Sequence, residues 1–316
     1  MSGLRLGASL CLPVVLIVAA STVRATTLSV NCAAKEGLHS IGAALKVLQN
    51  GEGHEPSTVN VSGACHENLV IRSLDRLTLN ATNGASVSDA SGGRPDVIAV
   101  YDSRDVAING FAINAGSDGV SGANGISCND WSACRLALNV IQGAGSGAGF
   151  AVYQASEATV DGDTFQNNGV GLIANSGTKV RAGGQARPIT SRNNGRGLQL
   201  TRLSFAFILA NLNNNTDVGV GLAFHSTLDL ISGSISQNGS AGAYVSEGSV
   251  ARFTSTTINA NAGPGVLVQD LSMVTFNGAT VTGNVGGTDV VCNPQFSATR
   301  GALSDIGGGT TNCVEP

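Results

Sequence analysis

The 316-residue chain has a formal net charge of −4, with 12% charged residues, 42% hydrophobic residues and 43 glycines. The acidic balance argues against nucleic acid or an anionic membrane as the main partner, and the hydrophobic share argues against disorder. With so few charges, the surface must be covered by Ser, Thr, Asn and Gly, which suits an extracellular β protein.

Residues 1–25 read as a signal peptide. Arg5 supplies the positive start, Leu10 to Ala20 an apolar stretch too short to span a bilayer, and Val23-Arg24-Ala25 a small-residue cleavage site. The mature chain is expected to begin near Thr26, to be secreted or periplasmic, and to insert in no membrane. It then holds 15 basic and 21 acidic residues, and six cysteines beyond Cys11. An even count behind a leader reads as disulfides. Six cysteines allow about fifteen pairings, and the sequential one is expected: Cys32–Cys65, Cys128–Cys134 and Cys292–Cys313.

Residues 26–57 are expected to form an N-terminal cap. Gly37 to Asn50 places Leu38, Ile41, Ala44, Leu45 and Leu48 at helical spacing and ends in Asn50-Gly51, the pattern of an amphipathic helix. His39, His54 and His66 lie nearby without metal-like spacing.

From 58 to 291 the chain repeats itself. Rungs starting at Val97, Gly125, Gly149, Gly171, Gly197, Gly221, Gly242 and Gly265 recur every 21 to 28 residues. One residue after each start stand Ile98, Ile126, Phe150, Leu172, Leu198, Leu222, Ala243 and Val266. Three after stand Val100, Cys128, Val152, Ala174, Leu200, Phe224, Val245 and Val268. Two apolar columns at i and i+2 are one face of a strand. Further apolar pairs such as Val106/Ile108 and Val274/Phe276, and single positions such as Ile113, Phe165, Ile258 and Val281, make three short strands per rung. The pattern predicts an all-β solenoid of about nine rungs of about 23 residues, whose core exists only in the stack. Asn168, Asn194, Asn214, Asn238, Asn261 and Asn284 recur late in successive rungs and are expected to hydrogen-bond along it. Sequons occur at Asn60, Asn80, Asn214 and Asn238. After Thr288 the repeat fades, so residues 292–316 are expected to be a disulfide-closed C-terminal cap.

The rung periodicity, the Asn column, and Gly265-Val266-Leu267-Val268 followed by Val274-Thr275-Phe276-Asn277-Gly278 resemble the right-handed parallel β-helix proteins of the pectin-lyase-like superfamily, over roughly Thr58 to Val291. The resemblance implies a long polysaccharide laid along the outer face of the first sheet. It fixes no reaction, because lyases, hydrolases, epimerases and non-catalytic members share the fold. Of the polygalacturonase-like signatures only Asn215-Thr216-Asp217 is present. No cofactor is expected from the residues. Calcium is the ion the resemblance would allow, although no contiguous acidic motif forms the carboxylate cage that it needs.

The same register assigns the outward side chains of the first sheet. Tyr101, Tyr153 and Tyr244, all the tyrosines of the chain, fall in two outward columns together with Asn175, Gln199 and Gln269. Rings stack on sugar C–H faces and amides hydrogen-bond hydroxyls, so these six are the expected glycan-binding residues. Trp131, in the short Cys128–Cys134 loop, would extend that platform or pack the loop. At the strand ends Glu247 and Asp270 fall on adjacent rungs, with His225 and Arg202 on the two rungs before; close carboxyls suit glycosidic chemistry. Asp102 and Asp130 form a second such pair. Long rungs that would wall in a catalytic cluster are scarce. The expected function is therefore secreted glycan binding without catalysis. The alternatives are a polysaccharide hydrolase, lyase or epimerase using Glu247, Asp270, His225 and Arg202, and a structural or adhesive solenoid.

Overall fold

The computed structural model describes residues 25–51, 55–116, 122–293, 298–299 and 306–313; the expected leader and its cleavage site lie outside the described residues. The first sheet has ten parallel strands: Leu69–Arg72, Ile98–Tyr101, Ile126–Asn129, Ala148–Tyr153, Val170–Asn175, Arg196–Thr201, Val220–Leu222, Ala243–Val245, Val266–Val268 and Val290–Cys292. They stack in strict chain order, one per turn of the coil. A second sheet of twenty strands wraps the remaining faces. Among the described residues the protein is a right-handed parallel β-helix of about ten turns, one more than the sequence pattern suggests. The extra turn carries Leu69–Arg72, whose Leu69 and Ile71 pair with Ile98 and Val100 and extend the inner columns.

The coil winds this way because each rung offers apolar side chains on one face only. Ile126, Phe150, Leu172, Leu198, Val220, Ala243 and Val266 stack in one inner column, and all are fully buried. Phe150 packs against Phe165, with ring centroids 6.5 Å apart, and Phe253 against Phe276 at 6.0 Å. Cys128 and Cys134 are bonded inside this core, while Cys32–Cys65 and Cys292–Cys313 secure its two ends. The three pairings are the sequential ones.

The structure departs from the expected pattern at three places. The rung placed at Gly221 starts at Gly219, because Leu198 pairs with Val220 and Leu200 with Leu222. A slip of two residues leaves every side chain on the same face, and Val220, Leu222 and Phe224 alternate with small residues, so apolar patterning cannot separate the two registers. Phe224, expected inside, is 49% exposed at a left-handed turn position. The Asn column runs through Asn215, not Asn214: Asn168, Asn194, Asn215, Asn238 and Asn261 are buried, and each amide nitrogen donates to the next rung's amide oxygen at 2.8–3.2 Å, ending on Asn284. Asn214 is instead exposed with φ 57°. The helix spans Ile41–Gln49 and starts later than Gly37, because Ser40 is its extended N-cap and accepts from Ala43 N at 3.1 Å. The Glu67 carboxylate also accepts from Ile41 N (2.7 Å) and Gly42 N (3.0 Å), so an acid from the first full turn satisfies the orphan amides of the cap.

A second ladder escaped the sequence reading. Ser103, Ser132, Ser156, Thr178, Ser204, Ser226, Ser249 and Ser272 stack beneath the turn that follows each first-sheet strand, all buried. A hydroxyl oxygen accepts from the backbone N–H of the rung before, as at Ser103 from Leu74, Ser249 from Ser226 and Ser272 from Ser249. The turns that they underpin are tight pairs of left-handed residues, such as Asp130/Trp131, Arg202/Leu203 and Asp270/Leu271.

Asp163 occupies a third turn column. It is fully buried, and its carboxylate accepts from Asn139 N and Nδ2, both at 2.9 Å, and from Asp161 N at 3.1 Å. Burial pushes its pKa up to about 6 against these donors. The folded state therefore holds the proton more tightly than the unfolded chain. Stability should be fully present below the ordinary carboxylate range and fall as pH rises toward 6, by about 3 kcal/mol. The expected outcome is a melting temperature that drops between pH 4.5 and 7 in the wild type, with the drop flattened in Asp163→Asn. An equal drop in both proteins would contradict this assignment.

Asn215→Ala should cost about 2 kcal/mol in denaturant unfolding, because it leaves the buried Asn194 N–H without its acceptor. Asn214→Ala should cost less than about 0.5 kcal/mol.

Candidate functional site

The outer face of the first sheet is graded in side-chain size. Along one outward column run Ala99, Ser127, Ala151, Ile173, Gln199, Gly221, Tyr244 and Leu267, each paired with the next. Near the N-terminal end the small residues leave room for larger neighbours to lie over them. Asn129 Nδ2 donates to Ser127 Oγ at 2.8 Å, and the Arg72 guanidinium sits 4.6 Å above the Tyr101 ring. Burial, then the charge of Asp96, raises the pKa of the Tyr153 phenol, with an opposing hydrogen bond from Asn124.

Toward the C-terminal end the column is interrupted by Gly221, between Gln199 and Tyr244. A cavity of about 330 Å³ opens there. Gln199, Tyr244 and Leu267 line it on the sheet, and Arg196, Asp217 and Ser240 on the side where the strands begin. Arg196 Nε donates to Asp217 Oδ2 at 2.9 Å, and the Tyr244 hydroxyl donates to Gln269 Oε1 at 3.1 Å. The glycines that begin the rungs are required by packing: a Cβ at Gly219 would come within 2.5 Å of Ile235. At Gly221 the nearest atom would be 3.7 Å away and the backbone is ordinary, so a side chain would fit. The missing side chain is what makes the hollow.

Of the six expected glycan-binding residues, Gln199 and Tyr244 line this hollow and Gln269 orients Tyr244. Tyr101, Tyr153 and Asn175 lie on the same face toward the N-terminal end. Gly221, Arg196, Asp217 and Ser240 were missed. A glycine carries no chemical signal, and Asp217 was read only as part of Asn215-Thr216-Asp217. In the structure Asn215 belongs to the ladder and Asp217 pairs with Arg196, so that tripeptide is no assembled acid pair.

The expected catalytic four are not brought together. Arg202, Glu247 and Asp270 keep one column on the turn after the strand, but the two-residue register shift moves His225 from the strand face to the turn tip. Its backbone N–H donates to Glu247 O at 2.9 Å, and its ring covers Gly248. Arg202, His225 and Asp270 are exposed, and no ion pair joins the four among the described residues. One oxygen of Glu247 is buried without a hydrogen-bond partner there. The cavity lies at the opposite end of the strands, so it does not enclose this column. Asp102 accepts from Ser73 at 3.3 Å and is not drawn to Asp130. Trp131 projects 77% exposed from its turn instead of packing the disulfide loop. Among the described residues the one group with metal-ligand types in reach is Cys32, Cys65 and Glu67, whose sulfurs form a disulfide and whose carboxylate caps the helix.

Residues 187–299 match the family model described as a right-handed β-helix region. No curated protein sequence matches the chain. Among solved structures it is similar to the A-module of the Azotobacter vinelandii mannuronan C-5 epimerase AlgE4, at 14% identity over 91% of this chain and 98% of that one, with a TM-score of 0.57. It is similar to the A-module of AlgE6 from the same organism at 13% identity, over 87% and 91% of the two chains, with a TM-score of 0.57. The periplasmic alginate epimerase AlgG follows at 15% identity, over 83% and 75%, with a TM-score of 0.54. At these identities the likeness is one of fold. With the topology, it defines a right-handed parallel β-helix.

Proposed function

We propose that this chain is a carbohydrate-active β-helix working outside the cytosol, holding a polysaccharide along the outer face of its first sheet with one sugar in the Gly221 hollow. The observation that carries the reading is Gly221 itself, an outward position where a side chain would fit and none stands. Around it are an aromatic ring with its hydroxyl already oriented, an amide, and a guanidinium–carboxylate pair, the groups that recognise hydroxyl-rich rings. Three disulfides suit an oxidising compartment. Gly221→Gln should abolish retention on a neutral polysaccharide that the wild type binds, while the melting temperature changes by less than about 2 °C. Tyr244→Ala should weaken retention by about 1–2 kcal/mol, the scale of a lost aromatic platform. Undiminished binding by Gly221→Gln would remove the hollow from the account.

Chemistry on the bound chain is the second reading. It is supported by the similarity to proteins whose names describe epimerisation of mannuronan and alginate. It is further supported by Tyr153, a phenol kept protonated beside Asp96 on the face where the polysaccharide would lie. Such a group is a proton donor, not a base, at neutral pH, so it would return a proton to the ring carbon after the Asp96 carboxylate, whose charge it feels, had taken one away. Polyuronates incubated with the protein in deuterated water, followed by NMR and a reducing-end assay, test this reading. The expected result is ring deuteration without new ends, lowered at least about 100-fold in Tyr153→Phe. An unchanged rate in that variant would exclude Tyr153.

A further inference from the structure

The second sheet carries a separate concentration of charge. On its outer face, just past the first turn, Arg104, Arg135, Lys179 and Arg181 line a groove of about 420 Å³ together with Asp105 and Glu157. A neighbouring hollow of about 370 Å³ shares Arg135 and Thr159 with it and runs on to Gly183 and Gly184. The groove is open because the outward residues between the charges are small: Ala133 and Thr159.

The register places these groups in rows. Arg135 pairs with Thr159 and Thr159 with Arg181, so the two arginines share one column, their backbones two rungs or about 10 Å apart. In the same column Arg181 pairs with Phe207, and beside it Lys179 pairs with Phe205. Phe205 and Phe207 flank the buried Ala206 and turn outward, and Phe207 is 39% exposed. Two phenylalanines on the outer face of a solvated sheet bury nothing in the core, yet they stand next to the cations of the preceding rung.

We infer that this second-sheet groove binds a carboxylated polysaccharide, one acid per sugar, with Arg135 and Arg181 taking carboxylates and Phe207 stacking on a sugar face. A guanidinium fork matches a carboxylate in two parallel hydrogen bonds, and an aromatic ring packs against C–H-rich ring faces. Arg135 holds Asp105 at 2.8 Å and Lys179 holds Glu157 at 2.8 Å, whereas no ion pair engages Arg104 or Arg181 among the described residues. The excess over four cations and two acids is therefore two positive charges. Such a partly neutralised track fits a sparsely charged chain. The acids would repel a densely sulfated polymer or a nucleic acid. The face is not the one holding Gly221, so the site stands independently of the first-sheet hollow.

The test is affinity electrophoresis in gels containing polygalacturonate, heparin or neutral galactomannan, at low and physiological salt. Wild type, Gly221→Gln, Arg135→Gln/Arg181→Gln and Phe207→Ala are compared, and the charge and aromatic substitutions are repeated in the Gly221→Gln chain. That background fills the first-sheet hollow, so failure of the first-sheet reading cannot mimic failure here. Wild type and Gly221→Gln should both be retarded by polygalacturonate more than by galactomannan, and less so as salt rises. The double substitution should weaken that retardation at least about tenfold, and Phe207→Ala about fivefold. All the substituted side chains except Gly221 reach solvent, so melting temperatures should hold. Retardation by polygalacturonate that survives Arg135→Gln/Arg181→Gln in the Gly221→Gln chain would overturn the inference. So would stronger retardation by heparin than by polygalacturonate, or none by polygalacturonate in the wild type.

Discussion

A buried amide at each turn must find a partner, and here the partner is the same residue on the next rung. Asn168 through Asn284 satisfy one another along the axis, each side-chain oxygen from Asn194 onward accepting from both the backbone and the side chain of the rung before. The ladder works only if successive rungs keep one register, so it penalises a slip of either sign by orphaning two donors per turn. The serine ladder imposes the same condition at the other end of the first-sheet strands. Both strand ends are thereby pinned, and the apolar columns between them close into one continuous core.

That pinning shapes the surface. Because backbone spacing is constant, what varies along the outer face is side-chain size and charge alone. A single glycine then becomes a hollow, two arginines in a column become a pair at fixed separation, and a phenylalanine becomes a platform. Recognition of a long, repeating ligand suits such a scaffold, since the rungs present groups at regular intervals with little conformational adjustment. Catalysis asks for more. Groups must converge and water must be held off, and the turn column with Arg202, Glu247 and Asp270 does neither. Tyr153 beside Asp96 is the better-sheltered group on this face.

The fold was legible because its signal is repeated. Apolar pairs, the late-rung asparagines and the cysteine order each recur, and agreement among them identified the coil and all three disulfides. What failed was single-position detail. Val220-Gly221-Leu222-Ala223-Phe224 reads equally well in two registers, and only the pairing of Val220 with Leu198 decides, which displaced His225. Asn214 and Asn215 are adjacent asparagines, and the choice between them depends on which backbone turns left-handed. The serines were passed over because Ser is common in loops and carries no apolar signal. Asp96 meets Tyr153 only through the stacking of rungs far apart in sequence, and the Gly221 hollow is defined by the absence of atoms. The second-sheet charges were visible as residues, but their alignment required the register of strands that the sequence reading had left unpaired.

The most direct measurement is a crystal structure of the protein with an oligosaccharide long enough to cover four rungs, drawn from the polymer that retains it best. The account predicts a sugar ring seated over Gly221 against Tyr244, with the chain running along the column of Gln199 and Leu267. A saturated complex in which the Gly221 hollow holds no sugar and the first sheet is bare would contradict it.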